Sequence, residues 1–179
     1  MKGLWTLTLV LAALAASASW SAEHMYKKAK VGQWTEYKTV SEMAGTKSEL
    51  KMKTTVTAKD ETSITLTIVT EMGGQKLPEQ TSVIKFEDLD APHPEVKTEE
   101  LEKGSESVTA AGKSYACNWV KNKVTSETEQ SKSVTLAKSW TSDDVPLGGL
   151  VKMESNSSIT VAGNEMKTVS TMELIGCGP

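Results

Sequence analysis

The residue pattern of this chain repeats every two positions, and that period restricts it to a sheet. Leu50, Met52, Val56 and Ala58 fall on one parity, with Lys51, Lys53, Thr55 and Thr57 between them. Ile64, Leu66 and Ile68 alternate with Thr65 and Thr67, and Val134 and Leu136 alternate with Ser133 and Thr135 in a segment that ends at Trp140. Met166, Met172 and Leu174 share one parity, with Thr168 and Ser170 between them. Such alternation gives a strand one buried and one wet face, as in antiparallel sheets, whereas a helix would repeat every 3.6 residues. The abundance of Thr and Val fits the same assignment.

The breaks are as regular as the strands. Lys59-Asp60-Glu61, Gly73-Gly74, Ala111-Gly112-Lys113 and Ala162-Gly163-Asn164 read as tight turns, where glycine supplies the positive φ that hairpins require. Strands are predicted near 33–40, 48–58, 63–72, 80–86, 99–102, 106–109, 113–125, 132–140, 149–161 and 165–176. This spacing predicts an all-β fold: a single antiparallel meander forming a curved half-barrel (a clamshell) or a barrel, with little helix. Residues 87–97, with Asp88, Asp90, Pro92, His93 and Pro94, show neither period and read as a loop, either a lid over the sheet or a plain connector. Glu23 to Lys30 could form a turn or two of helix, and Val145 to Gly149 a bend before a long strand.

At 179 residues and 38% hydrophobic content, the chain is the size of one domain. Its 23 acidic residues stand against 20 basic ones, all lysine, and there is no arginine with which to read phosphate or guanine. No nucleic-acid partner is expected. Met1-Lys2-Gly3, the apolar run Leu4 to Ala16, and the small residues Ser17-Ala18-Ser19-Trp20-Ser21-Ala22 have the order of a secretory signal peptide. That run is too short to span a ~30 Å hydrocarbon core. We therefore read 1–22 as a signal peptide, 23–179 as a single β-rich domain, and the location as periplasmic or extracellular, with no transmembrane segment in the mature chain. In an oxidising compartment Cys117 and Cys177 are expected to form a disulfide. It would close a loop of about 60 residues, stabilising by roughly 4 kcal/mol in the chain-entropy model.

Chemistry is sparse. The histidines, His24 and His93, sit in poor positions for a strand-held catalytic base, and no cluster has metal-ligand spacing. Glu99-Glu100, Glu127/Glu129 and Asp143-Asp144 read as solvated faces, and Gly73-Gly74 and Gly148-Gly149 lack phosphate-cradle spacing. Asn156-Ser157-Ser158 matches a glycosylation acceptor, and Lys27, Lys28 and Lys30 form a small basic cluster. No catalytic residue, metal or cofactor is expected. What stands out is an apolar set in the strands: Trp34, Met52, Leu66, Trp119, Trp140, Met153 and Met172. Methionine suits surfaces that accept varied apolar shapes, and a curved sheet can enclose a cavity. This set is the candidate site for a hydrophobic small molecule or lipid. The alternative is a filled interior in a structural or protein-interaction module that meets another envelope protein.

Two stretches carry a resemblance. Gly112-Lys113-Ser114-Tyr115-Ala116-Cys117-Asn118-Trp119 and Lys138-Ser139-Trp140-Thr141-Ser142-Asp143-Asp144-Val145-Pro146-Leu147 are similar to the second half of periplasmic β-clamshell proteins of the lipoprotein-sorting, LolA-like family. Val31-Gly32-Gln33-Trp34-Thr35-Glu36-Tyr37 resembles the first strand of small exported proteins with that plan. The resemblance implies a half-barrel whose concave face holds a lipid-like group beneath a lid. That family uses an arginine and helices to close its lid; this chain has no arginine, which implies a relative with another cargo or none. Gly32-Gln33-Trp34 is also reminiscent of lipocalins, which would imply a closed sheet.

Overall fold

Ten strands follow from the alternating segments, and they join into one antiparallel sheet. The computed structural model describes residues 26–90, 96–128, 131–161 and 164–179. The signal-peptide segment, His24, His93, Pro92, Pro94, Glu129 and the Ala162-Gly163 turn lie outside the described residues. The strands are β1 (Trp34–Met43), β2 (Thr46–Lys59), β3 (Ser63–Met72), β4 (Gln75–Lys76), β5 (Gln80–Lys85), β6 (Val96–Ala110), β7 (Lys113–Glu127), β8 (Ser131–Thr141), β9 (Leu150–Val161) and β10 (Asn164–Gly178). Their spatial order is β4-β3-β2-β1-β10-β9-β8-β7-β6, with β5 also pairing along β3. The sheet is thus an open, curved half-barrel with edges at β4/β5 and β6, and the closed-barrel alternative, with the lipocalin plan, does not hold.

The hairpins are set by two-residue turns. Ala44-Gly45, Gly73-Gly74 and Ala111-Gly112 have both residues at positive φ, the geometry that matches the right-handed twist of the flanking strands. Asp60 makes the β2–β3 turn. Its carboxylate accepts hydrogen bonds from the backbone N–H groups of Thr62 and Ser63, both at 2.7 Å, and from the two hydroxyls at 2.9 and 3.1 Å.

Four local expectations are corrected. The predicted strands 99–102 and 106–109 are one continuous β6, because Gly104 lies flat under the Trp119 ring rather than breaking the strand. β4 is an added two-residue strand. The 87–97 segment begins as a 3-10 helix, Phe86–Asp90, and ends inside β6. In β8 the buried parity is inverted. Leu136 is 41% exposed whereas Ala137 is buried, because the ladder aligns Ala137 with Asn122 and Ser155 on the sheltered side. The one helical turn near the start covers 26–28.

The core gathers at one end of the sheet. One cluster joins Tyr37, Tyr115, Cys117, Trp140, Val145, Val151, Met153, Met172 and Leu174. A second joins Ala29, Val56, Ile64, Leu66 and Phe86, with Tyr26, Ile84, Leu89 and Leu147 packed against it. The β6–β7 hairpin runs past the end of β8 and brings the Tyr115 hydroxyl to 3.8 Å from Cys177 Sγ on β10. At the opposite end Met43, Met72, Val161 and Met166 are exposed.

The expected disulfide is not formed. Cys117 and Cys177 border the same cluster as free thiols, Cys117 directing its Sγ to the Tyr115 carbonyl and Cys177 meeting the Tyr115 phenol.

Two measurements check this description. The bonds to Asp60 lower its carboxyl from 3.8 to about 2. Since the folded value lies below the unfolded one, the stability Asp60 contributes is present above about pH 4 and is lost as pH falls through about 2. The denaturant midpoint should decline over that window, and the decline should be smaller in Asp60→Asn. Burial pushes the Cys117 thiol pKa up, and its side chain is 3% exposed, while Cys177 is half-buried. A maleimide should modify Cys177 first and Cys117 only on opening, with two thiols titratable after denaturation. Denatured protein without free thiols would contradict the structure.

Candidate functional site

Residues paired across an antiparallel ladder share a face, so the register sorts the side chains of the sheet into two sets. On one face a row runs Lys51, Lys38, Glu173, Lys152, Trp140, Trp119, Gly104 across seven strands. The next row on that face runs Glu49, Val40, Thr171, Glu154, Lys138, Lys121, Glu102. Ion pairs stitch it together: Lys38 to Glu49 at 2.8 Å, Lys121 to Glu102 at 3.0 Å, Lys152 to Glu154 at 2.8 Å. Each is exposed and worth little alone.

The other face has a different chemistry. Its matching rows run Leu50, Thr39, Met172, Met153, Ser139, Val120 and then Ser48, Ser41, Ser170, Ser155, Ala137, Asn122. From β3 to β7 through the centre of the sheet, the residues paired on this face include no charged side chain along the ladder rows that contain Thr39, Ser41 and Met43. Charge enters this face at the edge strand, where Glu100 and Lys103 pair with each other at 2.9 Å. Through the middle of the sheet this face is also the sheltered one, while at the core end Tyr115, Cys117 and Trp140 of the other parity are buried as well. Thr39, Met172, Met153, Ala137, Asn122 and Val124 are buried and Ser41, Ser155, Ser157 and Ser170 half-buried, whereas Glu154, Asn156 and Val169 on the other face are exposed. Its hydroxyls bond to one another across strands, Ser41 to Ser170 at 2.7 Å and Thr135 to Ser157 at 2.9 Å. The result is a broad surface of methionine, small aliphatic and hydroxyl groups.

The candidate residues from the sequence divide between the two faces. Met52, Leu66, Met153 and Met172 share the uncharged face, with Leu66 inside the second core cluster. Trp34, Trp119 and Trp140 stand on the parity of the charged face, yet at the core end of the sheet Trp140 shares a cluster with Met153 and Met172 and Trp119 packs against it, which leaves Trp34 and Met52 outside that group.

Each tryptophan has a packing partner there. A Cβ on Gly104 would stand 2.8 Å from the Trp119 ring, and one on Gly178 would stand 2.7 Å from Trp34. On the rings, Lys138 Nζ lies 4.1 Å from the Trp119 centroid and 4.4 Å from that of Trp140, and Lys53 Nζ lies 4.1 Å from Trp34. The Trp140 indole N–H donates to Glu106 Oε1 at 2.5 Å, and Lys138 Nζ donates to the same oxygen at 3.0 Å. These two donors hold the Glu106 carboxyl below its usual pKa. Glycine beneath Trp34 and Trp119, and an ammonium over all three rings, make these rings structural plates rather than open platforms.

A depression of about 490 Å³ lies on the charged face, bordered by Glu102, Trp119, Lys121, Leu136, Lys138 and Glu154. Its Lys121 and Glu102 are paired with each other, Lys138 is held by Glu106 and Glu154 by Lys152, so its charged groups are already engaged. Among the described residues no group of His, Cys, Asp and Glu has the arrangement to hold a metal, and no helix is long and apolar enough to cross a membrane.

Sequence reasoning missed the small residues Ser41, Ser48, Ser155, Ser170, Asn122 and Ala137. The available signal was parity: in each strand these positions are the ones that never carry Lys or Glu.

No family model matches the chain, and no curated protein matches it. Two solved structures are similar in fold. One is a protein with a YmcC-like fold from Bacteroides fragilis, described as a presumed exported protein, 11% identical, with a TM-score of 0.46 over 84% of this chain and 97% of that one. The other is a presumed lipoprotein from Parabacteroides distasonis, 13% identical, with a TM-score of 0.45 over 83% of this chain and 96% of that one. The LolA-like family is not among these matches.

The tryptophan plates give a direct prediction. Gly104→Ala forces the Trp119 ring off β6 and should cost about 1–3 kcal/mol, as overpacking does, with a shift in tryptophan emission. Unchanged stability and emission would mean that the ring does not rest on Gly104.

Proposed function

We propose that the protein is an exported, non-catalytic binding protein that holds an uncharged, lipid-like ligand against the uncharged face of its open sheet. The observation that supports this most is the segregation of charge across the sheet. A strand surface exposed to water on both sides has no reason to keep lysine and glutamate off one side, and this chain does so across seven strands. Met52, Met153 and Met172 give that face flexible apolar groups, and two cross-strand hydroxyl pairs, Ser41 with Ser170 and Thr135 with Ser157, are already bonded, which lowers the cost of taking them out of water. Export rests on the signal-like order of residues 1–22.

A second reading rests on a separate observation. Met43, Met72, Val161 and Met166 are exposed at the same end of the sheet, which suits an envelope protein that docks there as partner.

Binding of the uncharged dye N-phenyl-1-naphthylamine distinguishes the faces. Ser155→Lys places a charge on the uncharged face and should weaken dye binding by roughly tenfold or more, about 1.4 kcal/mol. Asn156→Lys, one residue along on the exposed face, should leave it unchanged. Equal effects of the two variants, or no dye binding by the unaltered protein, would contradict this function.

A further inference from the structure

Asn122 is a buried amide on the uncharged face near the centre of β7, 6% exposed, whereas Asn118 on the same face is exposed and bonded to Ser105. Lys121 and Lys123 on either side of Asn122 project to the charged face by the strand alternation. Its ladder neighbours are Ala137 on β8 and Glu100 on β6. Ala137 offers no polar group, and Glu100 is paired to Lys103. Val120 and Val124 flank it along the strand.

Among the described residues no hydrogen bond forms to its side-chain amide, while Ser41 bonds to Ser170 and Thr135 to Ser157 on the same face. The amide is not sealed, because no polar side-chain atom in the described residues is both wholly buried and without a partner. A buried amide that lacks a protein partner yet stays reachable is unfavourable unless something outside the protein bonds it.

We infer that Asn122 is the polar anchor of the ligand surface, and that the ligand is an uncharged amphiphile bearing a hydroxyl, ester or amide group. This rests on the function proposed above and narrows it. An amide side chain both donates and accepts, so it satisfies hydroxyl, ester and amide groups alike. The charged groups beside the anchor on this face, Glu100 opposite Asn122 and Lys103 opposite Val120, pair with each other at 2.9 Å, so neither is left to hold a charged head. Three strand spacings, about 14 Å, separate Asn122 from Met172. An acyl chain running from the anchor across β8 and β9 would therefore lie over Met153 and Met172.

The test is a set of binding measurements with 1-oleoylglycerol, oleate at pH 8 and 1-octadecene, read by displacement of the dye. The unaltered protein should bind 1-oleoylglycerol roughly tenfold or more tightly than either of the others. Asn122→Leu should erase the advantage over octadecene, and Asn122→Gln should restore part of it. Should Asn122→Leu fail to fold, the ranking of the three probes in the unaltered protein still decides the ligand class. Oleate bound as tightly as 1-oleoylglycerol overturns the uncharged head. An advantage that survives in Asn122→Leu overturns the anchor and leaves the binding face standing. If none of the probes binds, the proposed function itself fails.

Discussion

The ladder between β1 and β10 is the interaction on which the rest of this fold depends. The first strand and the last pair in the centre of the sheet, from Trp34 opposite Gly178 to Met43 opposite Thr168. That pairing joins two local meanders, β1–β5 and β6–β10, which would otherwise be separate sheets, each with a long unpaired edge. Tyr37 lies on this ladder and extends its hydroxyl to the Leu150 carbonyl at 2.9 Å, tying β1 to the start of β9 across β10. Because the pair closes almost the whole chain into one loop, its formation carries a large entropic cost that the hairpins do not. The cluster of Tyr37, Val151, Met172 and Leu174 forms around it and offsets that cost by burial.

The same ladder carries the chemistry of one meander into the other. With Thr39 opposite Met172 and Ser41 opposite Ser170, the uncharged positions of β2 and β1 continue into those of β10, β9, β8 and β7. A slip of one residue would put Lys38 and Lys51 among the serines of β10 and β9, desolvating ammonium groups without partners. Charge segregation therefore specifies the register as well as the surface. The ion pairs on the outer face stabilise little singly, yet they match in the observed register only, as Lys38 does with Glu49 and Lys152 with Glu154 and Glu173.

The fold was legible in the sequence where one parity was apolar throughout. Leu50, Met52 and Val56, or Ile64, Leu66 and Ile68, announce both the strand and the side that is buried. Legibility failed where long-range register decided. Val134 and Leu136 look like the inner side of β8, but the pairing of Trp140 with Trp119 and Lys152 puts their parity on the charged face. Gly104 looks like a break because its function is to lie under an aromatic ring contributed by the neighbouring strand. The candidate site was half legible for the same reason. Methionines 52, 153 and 172 share one parity of the ladder, whereas the tryptophans meet the same apolar criterion from the other parity, and only Trp140 and Trp119 reach the methionines, in the core cluster. Serine, alanine and asparagine on the inner face carry no apolar signal at all.

A ten-stranded sheet with its core at one end and an uncharged, sheltered surface continuing from that core is suited to hold a ligand that completes the interior. The most direct measurement is native mass spectrometry of the protein released gently from its own envelope, before and after organic extraction. The expected result is a discrete added mass that leaves with solvent and belongs to an uncharged amphiphile. A bare chain that stays bare when such lipids are offered would contradict the central claim.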